Sequence, residues 1–307
     1  MSLKIIFMGT PEFSVPILKS INNSKHKILS VYTQPPKKKS RGQKVKKSPV
    51  HIIANELGLQ VRCPEKIDSK EKEFIQELKP DIVIVVAYGQ ILPKEILKLS
   101  NVTFLNIHAS LLPKWRGAAP IQRAIMNMDK RTGISFMKII EQLDAGPVMK
   151  FVTTEINKEI TYETLSKKLS IISAREIIDC LDLIELKKEK FIPQDNSKAT
   201  YAKKINKLET KLSWNSKAKN ILAKINALYP DPGTWFKLNG LRIKILKAIE
   251  ISAKGNPGEI IDENFTIACS ENAIRILELK REGKNSMSAS KFLVGNKLKV
   301  GTKLNEI

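Results

Sequence analysis

Three side chains in this sequence have the types and spacing that chemistry requires: an amide, an imidazole and, well downstream, a carboxylate on a glycine turn. Asn106 and His108 lie in the run FLNIHASLLP (104–113), which reads as a strand stopped by a proline. Side chains alternate across a strand, so these two polar groups point the same way. Asp144 lies in EQLDAGP (141–147), a loop that closes a second strand-like run neighbouring the first. On a carbonyl substrate this trio would divide the work of acyl transfer. The amide donates to the carbonyl oxygen, the imidazole carries a proton, and the carboxylate orients and charges the imidazole. Each residue also has an ordinary structural reading: a satisfied strand-end histidine, a turn-forming aspartate, an asparagine bonded to its own backbone. There is no G-x-S-x-G, so Ser110 is not a hydrolase nucleophile. Spacing alone leaves both readings standing.

The elements that must position the trio are legible as alternating runs. Short apolar stretches at 3–8, 28–33, 82–87, 102–107 and 134–139 read as strands. Amphipathic helical segments separate them near 13–22, 48–57, 70–78 and 117–128. Such alternation predicts an α/β fold with a Rossmann-like, mainly parallel sheet, and ligands sit at the carboxyl ends of its strands. Asn106 and His108 occupy such an end. After the first strand, Thr10 is expected to cap a helix with Pro11 at its first position. The turn lacks G-x-G-x-x-G, so no dinucleotide fingerprint is present. A helix is expected over 161–188, and the polar, proline-marked text FIPQDNSKATYAKKINK reads as a linker. Beyond it, Ala218, Ile221, Leu222, Ile225 and Leu228 keep helical spacing. Five short alternating runs, TWFKLNG, LRIKILKA, NPGEIID, FTIACS and AIRILELK, then predict a small OB-like β-barrel. The division expected is 1–188 for the domain bearing the trio, 189–206 for the linker and 207–307 for a basic β domain.

Charge constrains the partner. The chain of 307 residues carries a net charge of +22, which points to a polyanion; a lysine-rich codon usage is the bland alternative. Seven basic residues and no acid fall in QPPKKKSRGQKVKKSPV (34–50), whose prolines, glycine and serines predict a mobile loop. Residues 203–307, about a third of the chain, hold 20 Lys and Arg against 10 Asp and Glu, making that part the more densely basic. Cys63, Cys180 and Cys269 have no metal-binding or redox spacing and read as packing residues in a reducing compartment. The N-terminal apolar stretch is too short for a signal peptide, and IVIVVAYG is a buried strand rather than a membrane span. The expectation is a cytoplasmic protein that uses no membrane.

NIHASLLPKWRGAAP followed by LDAGPV resembles the folate-dependent formyltransferases. Their shared core is an N-x-H-x-S-L-L-P stretch and a later Asp-Gly loop, met here by Asn106, His108, Ser110 to Pro113, Asp144 and Gly146. FMGTPEFSVPIL, VVAYGQILP (85–93), WRGAAPIQRAI and INALYPDPG narrow the resemblance to members that formylate the methionine carried by initiator tRNA. The resemblance implies transfer of a formyl group from 10-formyltetrahydrofolate to the α-amine of methionyl initiator tRNA, for translation initiation, with no metal needed; a monomer is expected. It assigns Asn106 and protonated His108 to the developing oxyanion, and Asp144 to the imidazolium and the amine's proton, with a water carrying that proton to N10. It places the folate against the backbone of Tyr88, Gly89, Gln90, Ile91 and Leu92 and against the Asp144 loop, bordered by Ser110, Leu111, Leu112 and Pro113. It gives the tRNA acceptor end to Lys37, Lys38, Lys39, Arg41, Lys44, Lys46 and Lys47, with the C-terminal domain gripping the stem.

The match departs at Asn226, where arginine is common, and at Glu141-Gln142, where glycine commonly precedes Leu-Asp. The same trio would also serve a formyltransferase acting on a small amine, such as glycinamide ribonucleotide or an amino-sugar nucleotide. It would serve a formyltetrahydrofolate hydrolase, or survive in a silent RNA-binding protein. WRGAAP, the basic loop and the basic C-terminal half stand against the small-amine reading.

Overall fold

The computed structural model describes residues 2–39, 44–296 and 298–304, in which two compact units are recognised. The first comprises residues 1–120, 131–154 and 166–202; the second comprises 121–130, 155–165 and 203–307.

In chain order the elements up to residue 202 are β1 (Lys4–Gly9), α1 (Val15–Asn22), β2 (Lys27–Tyr32), β3 (Lys37–Lys39), β4 (Lys44–Lys46) and α2 (Pro49–Glu56). Then come β5 (Val61–Arg62), α3 (Ser69–Leu78), β6 (Ile82–Val86), α4 (Lys94–Leu97), β7 (Thr103–His108) and β8 (Arg116–Gly117). The series ends with α5 (Pro120–Met126), β9 (Arg131–Lys138), β10 (Val148–Glu155), α6 (Tyr162–Glu185) and β11 (Tyr201–Ala202). Seven strands form one sheet in the order β10-β9-β7-β6-β1-β2-β5. The pairs β1–β2, β1–β6, β2–β5 and β6–β7 are parallel, while β7–β9 is antiparallel. All five residues of β6 (IVIVV) are buried, as expected of a central parallel strand covered on both faces. Strand β10 was not legible: it holds the sheet edge, and its half-exposed pattern lacks the apolar run that betrays the inner strands.

Two local expectations fail. Thr10 does not cap a helix; its Oγ1 donates to Tyr88 O at 2.7 Å and accepts from Gln34 N at 3.3 Å, tying together the loops after β1, β2 and β6. Pro11 precedes a single 3₁₀ turn, and it is Pro16 that occupies the first turn of α1. The basic stretch is not an irregular loop. Strands β3 and β4 pair antiparallel, Lys37 opposite Lys46 and Lys39 opposite Lys44. Five lysines fall on this ladder, two pairs of them directly opposite, where like charges repel, and the flanking prolines, glycine and serines had read as loop.

The second unit carries α7 (Ala218–Leu228), β12 (Thr234–Leu238), β13 (Leu241–Ile251), β14 (Thr266–Ala268), β15 (Ala273–Arg281), β16 (Ser286–Ser288) and α8 (Ala289–Gly295). These strands form a small antiparallel β structure in which β15 pairs with β13, β14 and β16. Its core is threaded by aromatic rings. Trp214 meets Phe236 edge-on at 5.4 Å, Phe236 meets Phe265 at 6.2 Å, and Phe265 stacks on Phe292 at 5.7 Å. The run NPGEIID makes only single bridges at Glu259 and Ile260, because Pro257 and Gly258 (φ +83°) turn the chain. Among the described residues no helix is long and apolar enough to cross a membrane.

Candidate active site

Asn106 and His108 end β7 on one side of the sheet, in register with Met137 and Ser135 of β9. The chain leaving β9 bends through residues 139–147, and the Lys138 N–H bonds to Pro147 O at 2.9 Å, closing the loop that holds Asp144. Gly146 makes this closure possible: a Cβ there would overlap the carbonyl oxygen of Lys138. Asp144 itself sits in the left-handed region at φ +49°. Non-glycine residues persist there only where their surroundings hold them.

The carboxylate of Asp144 is where the trio converges. Its Oδ1 lies 3.4 Å from Asn106 Nδ2, and its Oδ2 lies 3.6 Å from His108 Nδ1. Oδ2 also accepts the Gly117 backbone N–H at 2.8 Å. The imidazole, only 6% exposed, donates from Nε2 to Trp115 O at 2.9 Å. A carbonyl only accepts, so Nε2 carries a hydrogen. Nδ1 faces the carboxylate, so both ring nitrogens have a protein neighbour and neither is directed at a formyl oxygen, the role the resemblance assigned to a protonated His108. Geometry thus joins the amide, imidazole and carboxylate that spacing proposed.

The SLLPKWRG loop is shaped by bonds that sequence reasoning missed. Ser110 does not point into the site; its Oγ donates to Lys114 O at 2.5 Å, and Ser135 Oγ donates to Ser110 O at 2.6 Å. Leu112 is buried, with its N–H donating to Ser135 Oγ at 3.0 Å. Trp115 N donates to Thr200 Oγ1 at 2.9 Å, and Arg116 N donates to Thr200 O at 2.8 Å. Gln194 reaches Asp144 and Gly146, and Arg116 reaches Gln194 and Asn196. Residues 192–202, expected as linker, are therefore bonded into the first unit around the site. Polar composition carried no sign of that, because these residues are held by hydrogen bonds rather than by an apolar face.

The segment 88–92 offers backbone and one bare apolar side chain. Tyr88 is buried at 1% exposure and Leu92 at 9%, whereas Ile91 stands 92% exposed. Ala87 (φ +47°) and Gly89 (φ +83°) turn the chain here, and Gln34 Nε2 holds Gly89 O at 2.7 Å while Gln90 Nε2 holds Pro64 O at 2.8 Å. Lys94, just beyond, forms an ion pair with Glu141 at 2.8 Å, linking this segment to the Asp144 loop.

Of the seven basic residues, Lys37, Lys46 and Lys47 are exposed, and Lys37 Nζ also donates to Gln34 Oε1 at 2.8 Å. Lys38, Lys39 and Lys44 are placed by backbone only, and Arg41 lies outside the described residues. Asn226 Nδ2 donates to Lys158 O at 3.3 Å. Among the described residues, His26, Asp182 and Glu185 group potential metal-ligand atoms. Lys25 Nζ already sits on both carboxylates at 2.7 and 2.6 Å. His26 Nδ1 accepts from Leu3 N at 3.3 Å, which leaves the proton on Nε2. That cluster is an ion-paired anchor of α6.

Comparison with known proteins gives the chain its family. Residues 3–181 match the formyl transferase family and residues 204–297 match the formyl transferase C-terminal domain. The chain is 47% identical over 310 residues to the methionyl-tRNA formyltransferase of Pelagibacter ubique, covering 100% of both chains. An N-formyltransferase from Helicobacter canadensis, solved with folinic acid and dTDP-3-aminofucose, shares the fold at TM-score 0.68 and 21% identity, over 90% of this chain and 99% of that one. HypX from Aquifex aeolicus, solved with tetrahydrofolic acid, shares it at TM-score 0.64 and 18% identity, over 95% of this chain; this chain spans 47% of HypX. With both halves matched and a full-length relative at nearly half identity, the chain belongs to the formyltransferase family, alongside the methionyl-tRNA formyltransferases.

Proposed function

We propose that this protein transfers the formyl group of 10-formyltetrahydrofolate to the α-amine of methionyl initiator tRNA. The observation that carries the proposal is the convergence of Asn106 and His108 on Asp144 at the end of β7, in a chain whose full-length relatives bear that activity's name. The residues present suit a folate: the segment 87–92 turns at Ala87 and Gly89, both exposed between buried Tyr88 and Leu92, and Ile91 offers an apolar surface to a ring. When bound, the folate supplies the activated formyl carbon and N10 as leaving nitrogen.

The chain's own residues then act as follows. Asn106 Nδ2 makes one long contact to Asp144 and keeps a second hydrogen for the formyl oxygen as it gains charge. Trp115 O and Asp144 fix the imidazole from its two nitrogens. Asp144 Oδ2 and His108 Nδ1 share the proton that the attacking amine gives up, and return it through a water toward the leaving nitrogen. Buried walls around His108 keep this exchange away from bulk solvent. Lys37, Lys46 and Lys47 on the β3–β4 hairpin, together with the basic surface of the second unit, hold tRNA phosphates.

The test is formylation of initiator against elongator methionyl-tRNA with 10-formyltetrahydrofolate, with His108→Ala beside the parent. Initiator-selective formyl-methionine that disappears in the variant is the expected result. Folate binding without formylation would point to a small-amine acceptor, and tRNA binding without turnover to a silent binding protein.

A further inference from the structure

Gln194 sits behind the Asp144 loop with every polar hydrogen and lone pair of its amide group facing a partner. Its Nε2 donates one hydrogen to Asp144 O at 2.8 Å and the other to Gly146 O at 2.7 Å. Its Oε1 accepts from Arg116 Nε at 3.1 Å and from Arg116 Nη2 at 2.8 Å. Arg116 is 3% exposed, and its Nη2 also donates to Asn196 Oδ1 at 2.7 Å. A buried guanidinium thus fixes the amide's rotation, and the fixed amide holds two carbonyls of one turn.

The loop is closed at its ends by the Lys138 N–H bond to Pro147 O and tethered by the Glu141–Lys94 ion pair, while within the turn Gln194 is the side chain that holds the carbonyls of Asp144 and Gly146. Glu141, Gln142 and Leu143 are exposed, so no apolar packing fastens the approach to Asp144. Asp144 is at φ +49° and would relax out of the left-handed region if its carbonyl were released. We propose that Gln194, oriented by Arg116, is a positioning residue for the reaction: it clamps the 144–146 turn so that the Asp144 carboxylate meets Asn106, His108 and the Gly117 N–H together. This rests on the reading of Asp144 as the carboxylate that handles the amine's proton. Small displacements of a reacting group cost large factors in rate, so a clamp on the backbone acts on turnover rather than on substrate affinity.

Gln194→Glu separates this role from a purely structural one. The carboxylate still accepts from Arg116, so the buried guanidinium keeps its partner. It has no hydrogen for Asp144 O or Gly146 O. Expected are a kcat lowered about ten- to hundredfold and KM values for folate and tRNA within about twofold of the parent. The Gly117 amide proton resonance should also move as Asp144 Oδ2 leaves it. Gln194→Met removes both halves of the clamp and should fall at least as far, with a lower melting temperature because the buried Arg116 guanidinium also loses its acceptor. Parent-like kcat and an unmoved Gly117 resonance in Gln194→Glu would overturn the clamp. If the parent itself made no formyl-methionine, the functional reading would fall, while the Gly117 resonance would still decide whether Gln194 holds the loop.

Discussion

The backbone N–H of Gly117 donates to Oδ2 of Asp144 at 2.8 Å, joining two loops that leave neighbouring strands. The bond gives each carboxylate oxygen a separate neighbour, His108 on the Oδ2 side and Asn106 on the Oδ1 side. Gly117 can bring its N–H there because it adopts φ +116°, with Ala202 O only 2.9 Å from where a Cβ would stand. A carboxylate held by a main-chain donor keeps its orientation while its charge is used.

Asp144→Asn tests the charge with little change of shape. The amide oxygen can still accept from Gly117, but a neutral group cannot hold the shared proton opposite His108 Nδ1. Formylation kcat/KM is expected to fall by about 10³, while folate affinity, measured by fluorescence quenching, stays near the parent value. Activity within threefold of the parent would remove Asp144 from the proton path.

Gly146→Ala tests the loop closure. A Cβ at this position overlaps Lys138 O, so the 139–147 loop must open or β9 must shift. The expected cost is about 1–3 kcal/mol, read from urea unfolding, with activity lost in the folded fraction because Asp144 moves with the loop. A variant as stable and active as the parent would mean that the loop has room this geometry denies it.

The inner strands and the long helices were legible because each rests on a local signal, whereas the trio was placed by strand alternation and a marked turn but given a role only by the family resemblance. β6 is a solid apolar run, Asn106 and His108 follow strand alternation, and Asp144 lies in a marked turn. Gln194 and the Thr200 contacts were not legible, since a polar segment bonded over long sequence separation has no periodicity to read. Thr10 misled for a related reason: its hydroxyl satisfies Tyr88 O, 78 residues away, instead of the nearby helix. The pairing of β3 with β4 was obscured by the prolines, glycine and serines around its lysines, which read as loop whether or not the backbone between them pairs.

Replacing Lys37, Lys46 and Lys47 with glutamine tests the hairpin as a phosphate-binding element. Each lost phosphate contact should lower the slope of log KM for tRNA against log salt by about 0.7–0.9. KM for folate should be unchanged, because these side chains carry no chemistry at the formyl group. An unchanged salt slope in the triple variant would move the tRNA contacts elsewhere on the protein.

His26 gives the first unit a predictable response to acid. Burial pushes its pKa below the ordinary 6.5, and Lys25 pushes the same way, against the opposing pull of Asp182 and Glu185. Its Nδ1 accepts from Leu3 N at 3.3 Å, so a second proton would break the hydrogen bond that starts β1. The unfolded chain therefore binds a proton near pH 6.5 that the folded chain refuses. Stability from this group is fully present above the unfolded value and is lost as pH falls from about 6.5 toward the lowered folded value, by at most about 1.4 kcal/mol per pH unit. His51 is also lowered by burial and contributes a loss of the same sign, so the test is the difference made by His26 alone. In His26→Gln, urea unfolding between pH 7 and pH 5 should show a shallower loss of stability than the parent, although the variant is less stable at pH 7 through its altered Leu3 contact. Parallel slopes in the two proteins would mean that His26 takes up its proton equally in the folded and unfolded chains.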